Sequence, residues 1–480
     1  MPEILRTLWP HLLALFTVSV DIAASCHAVL YKRDSRSAIG WVGFIWFVPI
    51  IGGLLYVWLG INRVQRHAKA LRQPASLPRP CDGEHVLPPE AEAVRGVGER
   101  FAHLAKLVGQ VTQYPLTGGN RIEILDRTTA YPQMLAAIEE ARSSITLTTY
   151  IFDNDPAGQW FLEALARAVK RGVLVRVIID DVGAKYSWPS IVRPLRRAGV
   201  PVAEFMPKLT PWALRYANLR NHRKILVVDG QLGFTGGMNI RAGHSAQCTS
   251  AEPIEDRHFR VEGPVIQQLQ HTFAEDWFFC RGERLEGEPW FVPLAPVGNT
   301  LARGIPDGPD EDFDNLKTTL LAALACAASS VHIVTPYFLP DASLITALNL
   351  AAMRGVQVDI ILPSVNNLRL VQWASTAAYW QVLERGCRIW LSPPPFDHGK
   401  LMVVDGAWSL IGSSNWDPRS LRLNFEFNVE CYDRPLAAAL DKQFREKLKT
   451  ARQISLEEVD SRSLPIRLRD GIARLASPYL

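Results

Sequence analysis

The chain has 480 residues, 48% hydrophobic and 21% charged, with a formal charge of +4. That length allows two or three domains with substantial cores, and so mild a basic excess does not fit a dedicated nucleic-acid binder. Seven cysteines, at 26, 81, 248, 280, 326, 387 and 431, form no Cys-x-x-Cys pair, which argues against a disulfide framework or a zinc site and slightly favours a reducing compartment.

In chain order, residues 1–67 read as a membrane anchor. Ile39 to Ile61 runs 23 residues without a charge, and about 20 suffice to span a bilayer. Leu8 to Tyr31 is the weaker candidate, because His11, Asp21 and His27 interrupt it. Together they predict a transmembrane hairpin. The loop between them carries Lys32, Arg33 and Arg36, and the flanks carry Arg6, Arg63, Arg66, Lys69 and Arg72, so the positive-inside rule places the rest of the chain in the cytoplasm. Residues 68–115 form a proline- and arginine-rich linker and a helical lead-in.

Two segments, 116–295 and 313–455, then repeat one order of elements around a linker at 296–312. In the first, strand 145–152, helix 159–172, strand 173–180, helix 189–199 and strand 200–205 lead into the strand KILVVD. In the second, strand 331–338, helix 342–355, strand 356–363, helix 375–386 and strand CRIWLS lead into KLMVVD. This is an internal α/β duplication, two tandem repeats of sheet flanked by helices. The tail, 456–480, mixes arginines with Ile466, Leu468, Ile472 and Leu475; it reads equally as an amphipathic segment lying on a bilayer or as an ordinary surface helix.

Each repeat ends in the same constellation, His-x-Lys-x4-Asp-x6-Gly-Gly/Ser-x-Asn. The first copy is His222, Lys224, Asp229, Gly236, Gly237 and Asn239; the second is His398, Lys400, Asp405, Gly412, Ser413 and Asn415. Each residue type fills roughly one position in twenty, so five fixed matches occurring twice are not chance. The chemistry is that of a phosphodiester. One neutral imidazole can attack phosphorus while a second, protonated, hands its proton to the departing alkoxide. Lys224, Lys400, Asn239 and Asn415 would hold the non-bridging oxygens. No metal or other cofactor is required, and no carboxylate cluster with ligand spacing accompanies the motif. Asp229 and Asp405 belong to the catalytic motif, although their place between a strand and a glycine suits holding a turn. Gly237 and Ser413 are expected to admit the phosphate closely, Ser413 adding a hydroxyl donor. Trp212, Leu214 and Tyr216, interleaved with Lys208, Arg215 and Arg220, suit a lipid-facing rim or a packed surface helix. His258 and Arg260 are further candidates to line the site. Gly399 should loosen its loop and sets Asp397 beside His398.

These motifs, with TGGNRIEIL (117–125) and SSNWDPRSLRLNFEFNVECYD (413–433), resemble the phospholipase D superfamily and, within it, bacterial cardiolipin synthases. The resemblance implies two phospholipase D-like repeats packed with the site between them, behind N-terminal transmembrane helices. It implies His222 as nucleophile and His398 as acid and base; the residues alone do not order them. Each histidine needs a carboxylate to fix its tautomer. Glu426 matches the family's orienting acid, and Asp256, in EDRHFRVEG, is its counterpart after a short insertion. The implied activity is phosphatidyl transfer between two phosphatidylglycerol molecules at the bacterial cell membrane, with membrane lipids as partners and neither nucleic acid nor an obligate protein partner inferable. A phospholipase using water as acceptor is the enzymatic alternative, and a lipid-binding scaffold the non-enzymatic one.

Overall fold

The computed structural model describes residues 2–32, 35–57, 93, 96–206, 219–250, 252–309 and 312–477. The chain divides into two units, Met1–Ala70 and Leu71–Leu480.

In the first unit the ranking of the two apolar segments is reversed. Within the helix Pro2–Tyr31, the stretch Leu8–Tyr31 is, among the described residues, the one long and apolar enough to cross a membrane. The Ile39–Ile61 segment is not one helix. Helix Ser35–Phe47 stops before Pro49, which has no N–H to continue the ladder, and a short helix resumes at Ile51–Leu55. The break is served by the residues that seemed to spoil the first segment. Asp21 is buried and accepts the Ile50 N–H at 3.3 Å, and His27 Nδ1 lies 2.8 Å from the Tyr56 hydroxyl. In hydrocarbon every freed backbone group needs such a partner.

Among the described residues the second unit is built on 18 strands. The first half supplies β1 (Thr117–Leu125), β2 (Ser144–Thr149), β3 (Leu174–Asp180), β4 (Val202–Phe205), β5 (Arg220–Asn221), β6 (Ile225–Val228), β7 (Leu232–Gly236), β8 (Ile254–Glu255) and β9 (His258–Glu262). The second half supplies β10 (Thr300–Asp307), β11 (Ser330–Val334), β12 (Gln357–Pro363), β13 (Arg388–Ser392), β14 (Phe396–Asp397), β15 (Leu401–Val404), β16 (Trp408–Gly412), β17 (Asn424–Tyr432) and β18 (Arg452–Ile454). The order along the sheet is β18-β13-β12-β11-β15-β16-β17-β10-β1-β9-β7-β6-β2-β3-β4, so the sheets of the two halves meet edge to edge. The join is β1 against β10, antiparallel. Residues 300–307, read from sequence as linker, are therefore a central strand; Gly304 and Pro306 hid it.

The strands most apolar in sequence, ILVV of β6 and LMVV of β15, are buried on both faces because helices cover the sheet on each side. Those helices start where aspartates cap them. Asp155 accepts the Gly158 N–H, Asp341 those of Ser343 and Leu344, and Asp433 that of Leu436. Gly172 and Gly355, both at positive φ, follow the ends of equivalent helices in the two halves. Each half has its own core, and a third is shared, in which Leu269 and Val261 of the first half pack with Phe427 and Leu440 of the second. That common core fixes the halves against each other, which is what a two-part site needs. The expected helix 375–386 is instead two pieces, Arg369–Thr376 and Trp380–Leu383.

Candidate active site

Each histidine directly follows a two-residue strand that reaches into the opposite half. β5 pairs with the start of β17, and the His222 N–H donates to the Phe425 carbonyl at 2.8 Å. In the same way β14 pairs with β8, and the His398 N–H donates to the Glu255 carbonyl at 2.7 Å. The residue following each acceptor is the carboxylate that holds the ring. His222 Nδ1 lies 2.9 Å from both oxygens of Glu426, and His398 Nδ1 lies 2.7 Å from Asp256 Oδ2. Glu426 and Asp256 are thus brought to histidines as expected, but each serves the histidine of the other half. Sequence offsets cannot reveal that exchange.

The lysines follow two residues on, so their side chains return along the same face of the strand. Lys224 Nζ donates to the His222 carbonyl and Lys400 Nζ to the His398 carbonyl, each at 2.7 Å. All four groups are nearly out of water, and burial dominates their electrostatics. Burial pulls Lys224 down to about 7 against the pull of Glu426, and Lys400 down to about 8 against that of Asp256. Burial, then the lysines of both halves, hold His222 and His398 well below the usual imidazole range. Burial pushes Glu426 up to about 7 and Asp256 above the carboxylate range, with the lysines opposing. The resting imidazoles are therefore neutral, each held through Nδ1, and at His398 the Lys400 Nζ also stands 3.0 Å from Nε2.

Two expectations change at the glycines. A Cβ on Gly237 would stand 2.2 Å from Asp256 Oδ1, so this glycine makes room for the orienting carboxylate rather than for phosphate. Ser413, its counterpart, donates its hydroxyl to Glu426 Oε2 at 2.5 Å, so that donor is not directed at phosphate either. Gly399 does not slacken its loop, because its N–H donates to Asp397 Oδ1 at 3.1 Å and Asp397 is paired with Lys447.

The motif aspartates are not at the reaction centre. Asp229 accepts the N–H groups of Arg142, Ser143 and Ser144, and Asp405 accepts those of Ala328, Ser329 and Ser330 as well as Arg100. Each lies beyond the far end of a four-residue strand from its lysine, roughly 16 Å along the extended chain. Asn239 Oδ1 accepts the Ile151 N–H at 3.1 Å, and Asn415 Nδ2 lies 3.2 Å from Ser420 Oγ with its Oδ1 buried and unpartnered. His258 is buried behind Gly236, whereas Arg260 pairs with Glu262 along its own strand. The expected aromatic rim at 208–220 falls almost wholly outside the described residues; Leu219 and Arg220 are buried.

Three residues were missed as site residues. Tyr150 and Tyr337, which follow β2 and β11, pack their rings 5.2 Å from His222 and 6.5 Å from His398. His244, which no spacing singled out, is buried with Nδ1 3.7 Å from Asp256 Oδ2, the oxygen that holds His398. Among the described residues, His244, Asp256 and His398 form the one histidine–carboxylate group compact enough to ligate a metal, with ligand atoms within 4.8 Å. Lys400 Nζ stands 3.0 Å from both ring nitrogens of His398, so a dication there would meet a resident ammonium. The donor set suits proton exchange better than metal binding.

Comparison with known proteins places this geometry. Residues 134–277 and 320–448 match the family described as cardiolipin synthase, phospholipase D-like domain, and residues 19–60 match the phospholipase D-nuclease N-terminal family. The chain is 31% identical to the major cardiolipin synthase ClsA of Bacillus subtilis, over 98% of this chain and 99% of that one. It is 32% identical to cardiolipin synthase A of Pseudomonas putida, over 96% of each. Among solved structures, phosphatidylserine synthase from Haemophilus influenzae superposes with a TM-score of 0.60 at 16% identity, covering 78% of this chain and all of that one, and so shares the fold. Two interlocked His-Lys motifs on that fold, and full-length similarity to these enzymes, make the chain a member of the phospholipase D-like cardiolipin synthase family.

Proposed function

We propose that the protein is a phosphatidyltransferase that makes cardiolipin and glycerol from two molecules of phosphatidylglycerol. His222 Nε2 attacks phosphorus, the bond to the departing glycerol oxygen breaks, and His398 gives that oxygen its proton. A second phosphatidylglycerol then loses its hydroxyl proton to His398 and attacks the phosphatidyl-histidine, and the P–N bond breaks. Lys224, Lys400, Asn239 and Asn415 hold the non-bridging oxygens as charge builds. The order of the histidines follows the family resemblance. Burial and then the lysines keep His398 deprotonated, and entry of an anionic phosphodiester offsets the lysines' share, so substrate binding raises the acid's proton affinity.

The observation that carries this reading is the exchange of partners, His222 on Glu426 and His398 on Asp256. It makes both histidines depend on closure of the two halves. In this reading the Leu8–Tyr31 helix is the anchor in the bacterial cell membrane, and the basic residues that follow it support a catalytic unit on the cytoplasmic face. The test is to feed labelled phosphatidylglycerol to membranes containing the protein, without added metal or nucleotide. Cardiolipin and glycerol are expected. Phosphatidic acid as sole product would replace the transferase by a hydrolase, and no turnover at all would leave a scaffold. Loss of the label from protein when His222→Ala is compared with wild type, in samples denatured with detergent at neutral to mildly alkaline pH, identifies the nucleophile.

A further inference from the structure

The C-terminal helix Leu464–Leu475 is built inside out. Its buried residues are Asp470 and Ala473, and Asp470 is held by Arg462 at 2.6 Å and by Arg469 at 2.7 Å. Its apolar side chains Leu464, Leu468, Ile472 and Leu475 are instead 56–80% exposed. Successive helical residues turn by about 100°, so these four share a sector about 80° wide opposite the buried face. Arg467 and Arg474, both exposed, border that sector on one side, and Arg469 borders it on the other. An apolar stripe edged with arginines is the pattern of a helix lying in an anionic lipid interface.

The stripe does not stand alone. Ala473 packs with Val371 and Ala374 of the Arg369–Thr376 helix and with Tyr337. Just before that helix, exposed Val365 and Leu368 flank Asn367, whose Oδ1 accepts the Tyr337 hydroxyl at 2.8 Å. Tyr337 in turn packs 6.5 Å from His398. The equivalent loop of the first half exposes Tyr186 and Trp188, the latter 96% exposed. Tyr186 packs 6.1 Å from Tyr150, which lies against His222. Apolar side chains thus run outward from both catalytic histidines.

We propose that the outward face of Leu464–Leu475, continued by Val365, Leu368 and Leu370, docks onto an anionic phospholipid bilayer and holds the site mouth where diacyl chains can enter. This rests on the phosphatidyltransferase reading, since only a lipid substrate needs an apolar path to buried histidines.

Two measurements on the full-length chain in phosphatidylglycerol-containing proteoliposomes test it. In the first, Ile472 is replaced by photoreactive p-benzoylphenylalanine and irradiated with radiolabelled phospholipid; Lys442, exposed on another helix, carries the same probe as control. Label should appear at 472 and at least tenfold less at 442. Equal labelling at both positions, or a cross-link from 472 to a second protein chain, overturns the proposal. This reading needs no catalysis, so a chain that labels at 472 but forms no cardiolipin defeats the enzymatic reading alone. In the second, the Leu468→Ser/Ile472→Ser/Leu475→Ser variant should lose at least tenfold in kcat/KM on long-chain phosphatidylglycerol in bilayers. On a monomeric short-chain analogue it should lose no more than twofold. Equal losses on both substrates would mean a merely structural helix.

Discussion

The cradle around Glu426 and the cradle around Asp256 follow one plan and differ in detail. In each, a histidine just after a two-residue strand meets a carboxylate from the other half, and the second residue of the Gly-Gly/Ser pair touches that carboxylate. Glu426 spreads both oxygens symmetrically on His222 Nδ1 and takes further neutral donors, Ser413 Oγ at 2.5 Å and Asn424 Nδ2 at 3.2 Å. Asp256 gives one oxygen to His398 at 2.7 Å, with His244 Nδ1 farther off at 3.7 Å, and takes the Arg257 N–H at 2.7 Å on the other. The first arrangement aims a ring through both carboxylate oxygens; the second aims one through a single oxygen, beside another buried imidazole. A duplicated scaffold has acquired unequal hydrogen bonding, which supports unequal roles for chemically identical side chains.

The largest expected effect comes from removing the carboxylates. Glu426→Gln and Asp256→Asn should each lower kcat by about 10³–10⁴, the scale of losing the group that fixes a catalytic tautomer. The natural reaction cannot separate them. A phosphatidyl ester of p-nitrophenol can, because its leaving group needs no proton. Release of p-nitrophenol should recover most of its rate in Asp256→Asn and little in Glu426→Gln. Equal recovery in both would erase the distinction between the cradles.

Next come the residues that back the carboxylates. Gly237→Ala drives a methyl group into Asp256, whose nearest oxygen would lie 2.2 Å away. The carboxylate must move by an ångström or so, and misplacement on that scale costs on the order of 10²-fold in kcat. Ser413→Ala only deletes a donor to Glu426, for a loss of about tenfold, or ~1.4 kcal/mol. If steady-state rates fall equally, the two positions do not differ as their contacts indicate.

How much of this was legible beforehand follows from what each feature depends on. The β6 and β15 strands, their lysines and the helix stops at Gly172 and Gly355 are local patterns, and they appear where spacing put them. The cross-pairing of Glu426 and Asp256 is a property of how two halves meet, and neither half encodes it alone. β10 was hidden because Gly304 and Pro306 read as linker, yet its register with β17 sets Asp307 opposite Glu426. His244 had no spacing to mark it, since only tertiary packing brings it to Asp256. Asp21 looked like damage to a membrane helix until the break at Pro49 gave its carboxylate a partner.

The smallest effect on chemistry, and the sharpest contrast with Glu426 and Asp256, belongs to Asp229. Its carboxylate accepts three backbone N–H groups and the Ser143 hydroxyl, and the residue itself sits at φ 51°, turning the chain after β6. Burial would raise its proton affinity, but the hydrogen bonds from Ser144, Ser143 and Arg142 outweigh it and leave the folded carboxyl below its usual value. A depressed folded value means the stabilisation is complete above about pH 4, where the unfolded carboxyl is also ionised, and is lost as pH falls through the folded value. Asp229→Asn should therefore cost roughly 1–3 kcal/mol at pH 7, the scale of leaving buried donors poorly satisfied, and less at pH 3. Thermal melts at the two pH values measure that difference. Activity per folded molecule at pH 7 should stay within about threefold, because the carboxylate lies a whole strand away from Lys224. A collapse of turnover in a variant that melts normally would move this aspartate back into the reaction centre and blur the line between the carboxylates that hold the fold and those that aim the histidines.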